Sequence, residues 1–386
     1  MPRSPFTRPH RRAFLGGSLL AGMAAAAAPG AQRVPLRDKF FGSIAGCHIG
    51  SAMGAPVEGW PYERIEEKYG LLDRLLSYEH YGNGWQREPG TTEDGVERQK
   101  LMITAIIEKQ DRVNAEDVRA IWLRDIKPES AGQVSEPFEA TLLAMAKSGI
   151  PARDLGRYCD YAGLNSFARS CHPVGLINAG DPAGAVADVF EVGQLYQTSN
   201  SRGLQWAAVT ALAIAAATRP AATVDSVLAA LHDTAPRLPA AVLREIDRGL
   251  KLTANCRDVR DLRRAFDPVY NGAGMPYAFS YANEVVTKAV CIFRMTQGNP
   301  REAIVAGVNM GRDTDCVTAI AAGLAGSLSG ASALPAAWIA QVDYATTLNR
   351  FTNSRRTLGE HAEGLYDAFR ARLRKGKTYI QGMEQA

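Results

Sequence analysis

A pair of aspartates directly before a run of small residues constrains this 386-residue chain more than any other feature. Asp313 and Asp315 follow Gly311, which interrupts a helical pattern, and the run from Ala319 to Gly330 is rich in Ala and Gly. A helix of small residues can pack closely against a neighbour, and such packing would bury its first turn. Buried carboxylates are costly unless a positive charge neutralises them, so the pattern indicates a bound divalent cation. The alternative is an N-cap aspartate with a solvated neighbour.

A second acidic stretch, Thr92-Glu93-Asp94, precedes the apolar-periodic segment 101–107. It is also typical of a helix start, with Thr92 or Asp94 as the expected N-cap. Two acidic helix starts far apart in sequence suit a two-metal site with oxygen ligands in an all-helical protein.

Helical periodicity recurs along the whole chain, whereas alternating strand-like runs are scarce. Because no Ser/Pro/Gly tract or charge block marks a linker, we expect residues 32–386 to form a single compact multi-helix domain of the all-α class. The segments with apolar residues at three- and four-residue spacing are 38–50, 113–124, 138–148, 183–197, 204–217, 224–233, 239–252, 283–296, 300–308 and 318–328.

Residues 1–31 have the features of a twin-arginine export signal. Arg11 and Arg12 precede Phe14-Leu15, the weakly apolar run 16–28 follows, and small residues suitable for cleavage lie at 26–31. The apolar run is too short and too rich in Ala and Gly to remain as a membrane anchor. The sequence therefore predicts export to the periplasm or the outside of the cell, without stable membrane insertion after cleavage.

The charge balance gives no support for nucleic-acid binding. The formal net charge is +4, and the predicted signal contributes Arg3, Arg8, Arg11 and Arg12 with no acidic residue, so the remainder is near neutral. The six cysteines form no CxxC pair, and a chain of this size needs no disulfide framework. We expect most of them to be small buried residues, with room for one bridge in an exported protein.

Glycines at four-residue spacing mark the first predicted helix. Gly42, Gly46, Gly50 and Gly54 would form a flat stripe against which another helix can pack. The helix must then end near the proline at position 56, which places Glu58 on a loop.

These motifs, in this order, resemble the ADP-ribosylglycohydrolase family, which includes the dinitrogen-reductase-activating glycohydrolase. Its Gly-Asp-Ala-x-Gly-x-Pro-x-Glu, Thr-Asp-Asp and Gly-Gly-Asp-Thr-Asp-Thr motifs correspond to Gly50–Glu58, Thr92–Asp94 and Gly311–Cys316. The central Met-Arg-x-x-Pro-x-Gly and Asp-Pro run is similar to the segment from Arg169 to Pro182. The resemblance covers about residues 38 to 350.

The resemblance implies an all-α domain with a metal site in a central cleft, holding one or two Mg²⁺ or Mn²⁺ ions. The implied metal ligands are Thr92, Glu93, Asp94, Asp313, Asp315 and Cys316. The implied catalytic groups are Glu58, Asp94 and Asp313. The implied substrate contacts are Ser166 and Arg169. From the residues alone, we expect His172 to be a structural or substrate-contacting histidine, and Tyr277 to belong to a ring-stacking wall or to an aromatic core.

Several positions depart from the family pattern. Glu93 stands in place of Asp, Gly95 in place of a common Thr, and Cys316 in place of a hydroxyl residue. A thiol is a poor ligand for magnesium. In the central loop, Asn165 stands where the family has a flexible glycine.

The predicted function is metal-dependent hydrolysis of a ribosyl C1 glycosidic bond in an ADP-ribosylated protein or a small molecule, by a monomer. One alternative is a relative with a different substrate, such as a nucleoside or another small glycoside. The other is a catalytically silent ligand-binding protein of the same fold, which Glu93, Gly95 and Cys316 favour.

Overall fold

The glycine stripe of the first helix lies directly against the helix that follows the aspartate pair. A Cβ at Gly46 would lie 2.8 Å from the carbonyl carbon of Ala322, and one at Gly54 would lie 2.5 Å from Cα of Asp315. Only glycine permits backbones to approach so closely. The predicted close packing of this stripe is therefore confirmed, and its partner is the small-residue helix.

The computed structural model describes residues 33–79, 84–126, 137–159, 162–234, 237–273 and 279–385. The α-helices in these ranges are α1 (Leu36–Gly54), α2 (Tyr62–Tyr69), α3 (Asp94–Lys109), α4 (Ala115–Asp125), α5 (Pro137–Lys147), α6 (Ala152–Leu155), α7 (His172–Ile177), α8 (Pro182–Val192), α9 (Arg202–Ala217), α10 (Val224–Asp233), α11 (Ala240–Leu252), α12 (Val259–Phe266), α13 (Ala282–Met295), α14 (Pro300–Val308), α15 (Thr314–Ser329), α16 (Ala336–Leu348) and α17 (Leu358–Glu384).

The predicted all-α class is confirmed. The strands within the described ranges are β1 (Tyr78–Glu79) and β2 (Gln86–Arg87), which form one antiparallel ribbon. The segment Arg33–Ala386 forms a single compact unit. Residues 1–32 lie outside the described ranges, so the export signal stays a prediction. None of the described helices is both long enough and apolar enough to cross a membrane.

The centre of the fold consists of helices that are buried on nearly every side. Helix α1 packs against α15, α14 and α17, while α15 also contacts α13 and α9. Almost every residue of α1, α9 and α15 is buried. Because α15 runs through this centre, the carboxylates at its N-terminus lie in the interior of the domain.

The expected cap of α3 is wrong. The helix begins at Asp94, its N-cap position is Glu93, and no side chain caps it. The Glu93 carboxylate instead accepts a hydrogen bond from the Tyr78 hydroxyl. The expectation for the cysteines is confirmed, because all six are free thiols and four of them are buried.

Candidate functional site

Two buried carboxylates lie at the start of α15. Asp313 is at the N-cap position and Asp315 is in the first turn, with 1% and 2% of their surfaces exposed. Oδ2 of Asp313 accepts a hydrogen bond from Nδ2 of Asn165 at 2.9 Å. Oδ1 of Asp313 and Oδ1 of Asp315 have no hydrogen-bond donor. Such orphaned buried acceptors are rare in folded proteins and call for an explanation.

Burial disfavours the ionised form of both acids. Burial raises the pKa of Asp313, and burial followed by the charge of Asp313 raises the pKa of Asp315 well above its ordinary value. One ligand atom each from Asp313, Asp315 and Cys316 lie within 4.8 Å of one another, so this group could hold a metal ion. Burial and the two carboxylates raise the pKa of Cys316, which keeps its thiol protonated. A divalent cation here fits the two aspartates better than the cysteine.

At the start of α3, Asp94 is surrounded by donors. Its Oδ2 accepts from Nη2 of Arg98 at 2.9 Å and from Nη2 of Arg169 at 2.6 Å. Its Oδ1 accepts from the backbone N–H of Gly95 at 2.8 Å. Burial opposes ionisation, but the charges of the two arginines outweigh it and lower the pKa of Asp94. Asp94 is therefore an ionised carboxylate that the protein itself neutralises.

The other residues of this motif are also buried. The Glu93 carboxylate lies 3.4 Å from Nη1 of Arg87, in addition to its bond with Tyr78. The N–H of Glu93 donates to Oγ of Ser51 at 3.4 Å, which ties the motif to α1. Thr92 is 5% exposed. The structure thus brings the early and late acidic motifs to opposite sides of one interior region, next to the end of α1.

The Glu58 loop is fixed to the late acidic motif by its backbone. The N–H of Gly59 donates to the carbonyl of Arg312, and the N–H of Arg312 donates to the carbonyl of Trp60, each at 2.8 Å. Arg312 adopts a positive φ of 66°. Its guanidinium forms a bidentate ion pair with Glu284, at 2.6 and 2.8 Å. This pair holds Arg312 in an otherwise unfavourable conformation.

Glu58 itself is half-buried at the edge of the acidic cluster. Burial, followed by the charges of Asp315 and Asp313, raises the pKa of Glu58 well above its ordinary value. A raised pKa favours the protonated carboxyl group, which is the form that a general acid requires.

The central loop reaches the cluster through Asn165 and Arg169. The backbone N–H and Nδ2 of Asn165 both donate to the carbonyl of Ser280, at 3.0 and 3.1 Å. The N–H of Ala282 donates to the carbonyl of Gly163 at 3.0 Å, which closes a short bridge between the two segments. Ser166 is 3% exposed, and its carbonyl accepts from Oγ of Ser170.

Of the two other expected substrate contacts, the structure describes His172. His172 is fully buried, and its Nδ1 lies 3.3 Å from Nε2 of Gln99 and 3.8 Å from Sγ of Cys47. Its ring therefore packs in the core of the domain. Tyr277 lies outside the described residues.

Sequence analysis missed several residues that complete the site. Arg98 follows Asp94 by four positions on a helix, a spacing that predicts an ion pair. Asn165 orients a site carboxylate, because its side-chain amide donates a hydrogen bond to Asp313. The contacts of Tyr78 with Glu93 and of Glu284 with Arg312 left no local signal, because the partners are 15 and 28 positions apart.

Comparison with known proteins identifies the family of this chain. The profile of the ADP-ribosylglycohydrolase family matches residues 32–373. The chain belongs to the ADP-ribosylglycohydrolase family. It is 25% identical over 340 residues to the uncharacterized protein YegU of Escherichia coli strain K12, covering 82% of this chain and 98% of that protein.

A second curated relative carries an activity in its name. The ADP-ribosyl-[dinitrogen reductase] glycohydrolase of Rhodospirillum rubrum is 22% identical over 312 residues, covering 80% of this chain and 91% of that protein. A solved structure of an ADP-ribosylglycohydrolase-related protein complex matches with a TM-score of 0.62 and 18% identity. This match covers 87% of the present chain and 98% of the other, and it supports the fold. The family-level conclusion is a glycohydrolase fold with an Asp/Asp/Cys group that could bind a metal.

Proposed function

We propose that this protein is a metal-dependent hydrolase that cleaves a ribosyl C1 glycosidic bond. The observation that carries the proposal is the pair of buried, undonated oxygens on Asp313 and Asp315 at the start of α15. Two buried like charges with free acceptors are a stable arrangement once a divalent cation lies between them.

Asp313 and Asp315 would hold Mg²⁺ or Mn²⁺. When bound, such an ion supplies Lewis-acid polarisation of a ribose hydroxyl group and of water. The chain's own acids stabilise the positive charge that develops at C1 as the glycosidic bond breaks. Asn165 fixes the orientation of Asp313 during this process through its 2.9 Å hydrogen bond.

Glu58 is the proposed proton-transfer group. Its loop is tied to the metal-binding motif through the backbone of Arg312, so the carboxyl group keeps a fixed relation to the aspartates. Its raised pKa allows it to deliver a proton to the leaving group as the C1 bond breaks. The oxygen of water then bonds to C1, and its proton returns to the carboxylate.

One observation favours a small ribosyl substrate over an ADP-ribosylated protein. A loop that cradles phosphates offers free backbone N–H groups. In the central loop, the N–H of Asn165 is already bonded to the carbonyl of Ser280. The second candidate is therefore a hydrolase of a nucleoside or another small riboside on the same acidic site.

The proposal also includes the setting of the reaction. The features of residues 1–31 support export of the protein. Outside the cytoplasm, the protein would act as a monomer on a small-molecule or ADP-ribosylated substrate. Fractionation of cells that express an Arg11→Lys/Arg12→Lys variant tests the export step, because loss of the arginine pair should retain the protein in the cytoplasm. Light scattering of the purified protein tests the monomer.

The deciding experiment compares metal-stripped and Mn²⁺-restored protein on an ADP-ribosylated guanidine and on a ribonucleoside, with release of the leaving group as the readout. We expect Asp313→Ala and Asp315→Ala to abolish Mn²⁺-dependent turnover. Asp225→Asn, an exposed acid in the first turn of α10, is the matched control and should keep it. Metal binding and turnover in both aspartate variants would contradict the proposal, and a folded wild type that binds neither metal nor product would favour a silent fold.

A further inference from the structure

The guanidinium of Arg169 lies between the two acidic motifs. Its Nη2 donates to Oδ2 of Asp94 at 2.6 Å, on the α3 side. Its Nη1 donates to Sγ of Cys316 at 3.3 Å and lies 3.9 Å from Oδ2 of Asp315, on the α15 side. One side-chain cation thus bridges the helix starts that the resemblance assigned to two metal ions.

We propose that Arg169 is a built-in cation that takes the place of a second metal ion, so that this chain binds one divalent cation, at Asp313 and Asp315. The inference rests on the metal dependence proposed above and specifies its stoichiometry. It also changes the role of Arg169 from a substrate contact to a structural charge within the site.

Both carboxylates of the early motif lie beside protein donors and cations. Both oxygens of Asp94 accept hydrogen bonds, from Gly95 on one side and from Arg98 and Arg169 on the other. Glu93 accepts from the Tyr78 hydroxyl group and lies beside Arg87. A second ion at this end would have to displace charged donors that are themselves buried, which would leave those arginines unpaired at a high cost.

The late motif differs in this respect. Asp313 and Asp315 each keep one buried oxygen without a donor. Oδ2 of Asp315 lies 3.9 Å from Nη1 of Arg169. The two oxygens without a donor fit a small hard cation, whereas the thiol of Cys316 does not. The late motif can therefore accept a metal ion, whereas the protein itself neutralises the carboxylates of the early motif.

Gly95 is the residue that makes room for this arrangement. A Cβ at position 95 would lie 2.6 Å from Cδ, 2.8 Å from Nε and 2.9 Å from Cγ of Arg169. Any larger residue would push the arginine away from Asp94. The glycine and the arginine therefore act as a pair, and the departure from threonine at position 95 has a physical consequence for the metal site.

The test counts Mn²⁺ ions per folded chain by equilibrium dialysis and records their electron paramagnetic resonance spectrum, neither of which needs turnover. We expect one ion and an uncoupled spectrum for the wild type. Arg169→Gln should bind two ions with a spin-coupled spectrum, because one of the two arginines that neutralise Asp94 is then removed. Arg169→Lys, which keeps the positive charge, should bind one. In Gly95→Thr the new side chain would push Arg169 away from Asp94, so this variant should also bind a second ion.

The outcomes distinguish this inference from the proposed function. A wild type with two ions, or folded Arg169→Gln and Gly95→Thr variants that both still bind one, would overturn the role of Arg169 and leave the hydrolase proposal intact. A wild type that binds no Mn²⁺ would overturn the metal dependence itself. Circular dichroism of each variant establishes that the protein compared is folded.

Discussion

Asn165 donates a hydrogen bond to Asp313 at 2.9 Å, although 148 positions separate the two residues. The same amide group and the backbone N–H of Asn165 are held by the carbonyl of Ser280. The central loop is thus locked on one side to the segment before α13 and on the other to the candidate metal ligand. An amide that orients a carboxylate in this way sets the direction in which its second oxygen points.

Replacement of Asn165 by Ala should weaken metal binding without unfolding the protein. Loss of a hydrogen bond to a metal-binding carboxylate typically lowers metal affinity by about 10–100-fold. Calorimetric titration with Mn²⁺ measures this change. Asn200→Ala is the control, because Asn200 is exposed. An unchanged affinity in Asn165→Ala would show that Asp313 needs no orienting partner.

Replacement of Gly46 by Ala should destabilise the domain, because the new methyl group would lie 2.8 Å from the carbonyl carbon of Ala322. Overpacking of this kind costs about 1–3 kcal/mol or more where the clash is with backbone. Urea unfolding of the variant measures the loss. Gly376→Ala is the matched control, since nothing lies within 4 Å of a Cβ at that helical position. We expect this control to stabilise the protein by up to about 1 kcal/mol.

Buried histidines should make the protein less stable in acid. Burial lowers the pKa of His48 to about 3 and that of His172 to about 4. An unfolded imidazole takes up a proton below about pH 6.5, whereas the folded ones do not until pH 4 or lower. Stability is therefore full above pH 6.5 and is lost as the pH falls from there towards 4.

His48→Gln isolates one of these contributions. Between pH 6 and 4.5, the slope of unfolding free energy against pH should decrease by up to about 1.4 kcal/mol per pH unit relative to the wild type. Other titratable groups also contribute to the slope, so the difference between the slopes of the variant and the wild type is the quantity to measure. His232→Gln, at an exposed position, serves as the control. Equal slopes for His48→Gln and the wild type would contradict the buried-neutral assignment.

The sequence predicted the features that depend on local spacing. The four-residue glycine repeat ending at Gly54 predicted close helix packing, and the partner is α15, the helix that contains the small-residue run and begins directly after Asp313. Three- and four-residue periodicity predicted the positions of α1, α4, α5, α8 to α11 and α13 to α15. The helices α2, α6, α7, α12, α16 and α17 were not among the predicted segments.

Features that depend on contacts between distant residues could not be predicted from the sequence. The sequence presented Asp94 and Asp315 as equivalent acids, but the fold gives Asp94 two arginines and leaves an oxygen of Asp315 undonated. The exchange of Thr for Gly95 was visible in the sequence, yet its meaning depended on where the Arg169 side chain lies. The sequence gives the type of each residue, but which charges neutralise one another depends on the tertiary packing.

The ion pair beneath the Glu58 loop leads to the last prediction. Glu284 is 5% exposed and binds both Arg312, at 2.6 and 2.8 Å, and the buried Lys288, at 2.7 Å. Glu284→Gln would leave two cations without their carboxylate, and breaking a buried pair in this way costs about 3–5 kcal/mol. Hydrogen exchange at the N–H groups of Gly59 and Arg312 should accelerate as the loop loosens.

A double variant separates lost attraction from unpaired charge. Because Glu284→Gln/Lys288→Met also removes the buried lysine charge, urea unfolding should show that it recovers part of the stability lost in Glu284→Gln. Lys288→Met alone leaves the bidentate contact with Arg312 in place and should keep the exchange at Gly59 slow. Equal stability of Glu284→Gln and the double variant would mean that Lys288 is not charged in the folded protein. Burial lowers the pKa of Lys288, whereas the carboxylate of Glu284 opposes that shift.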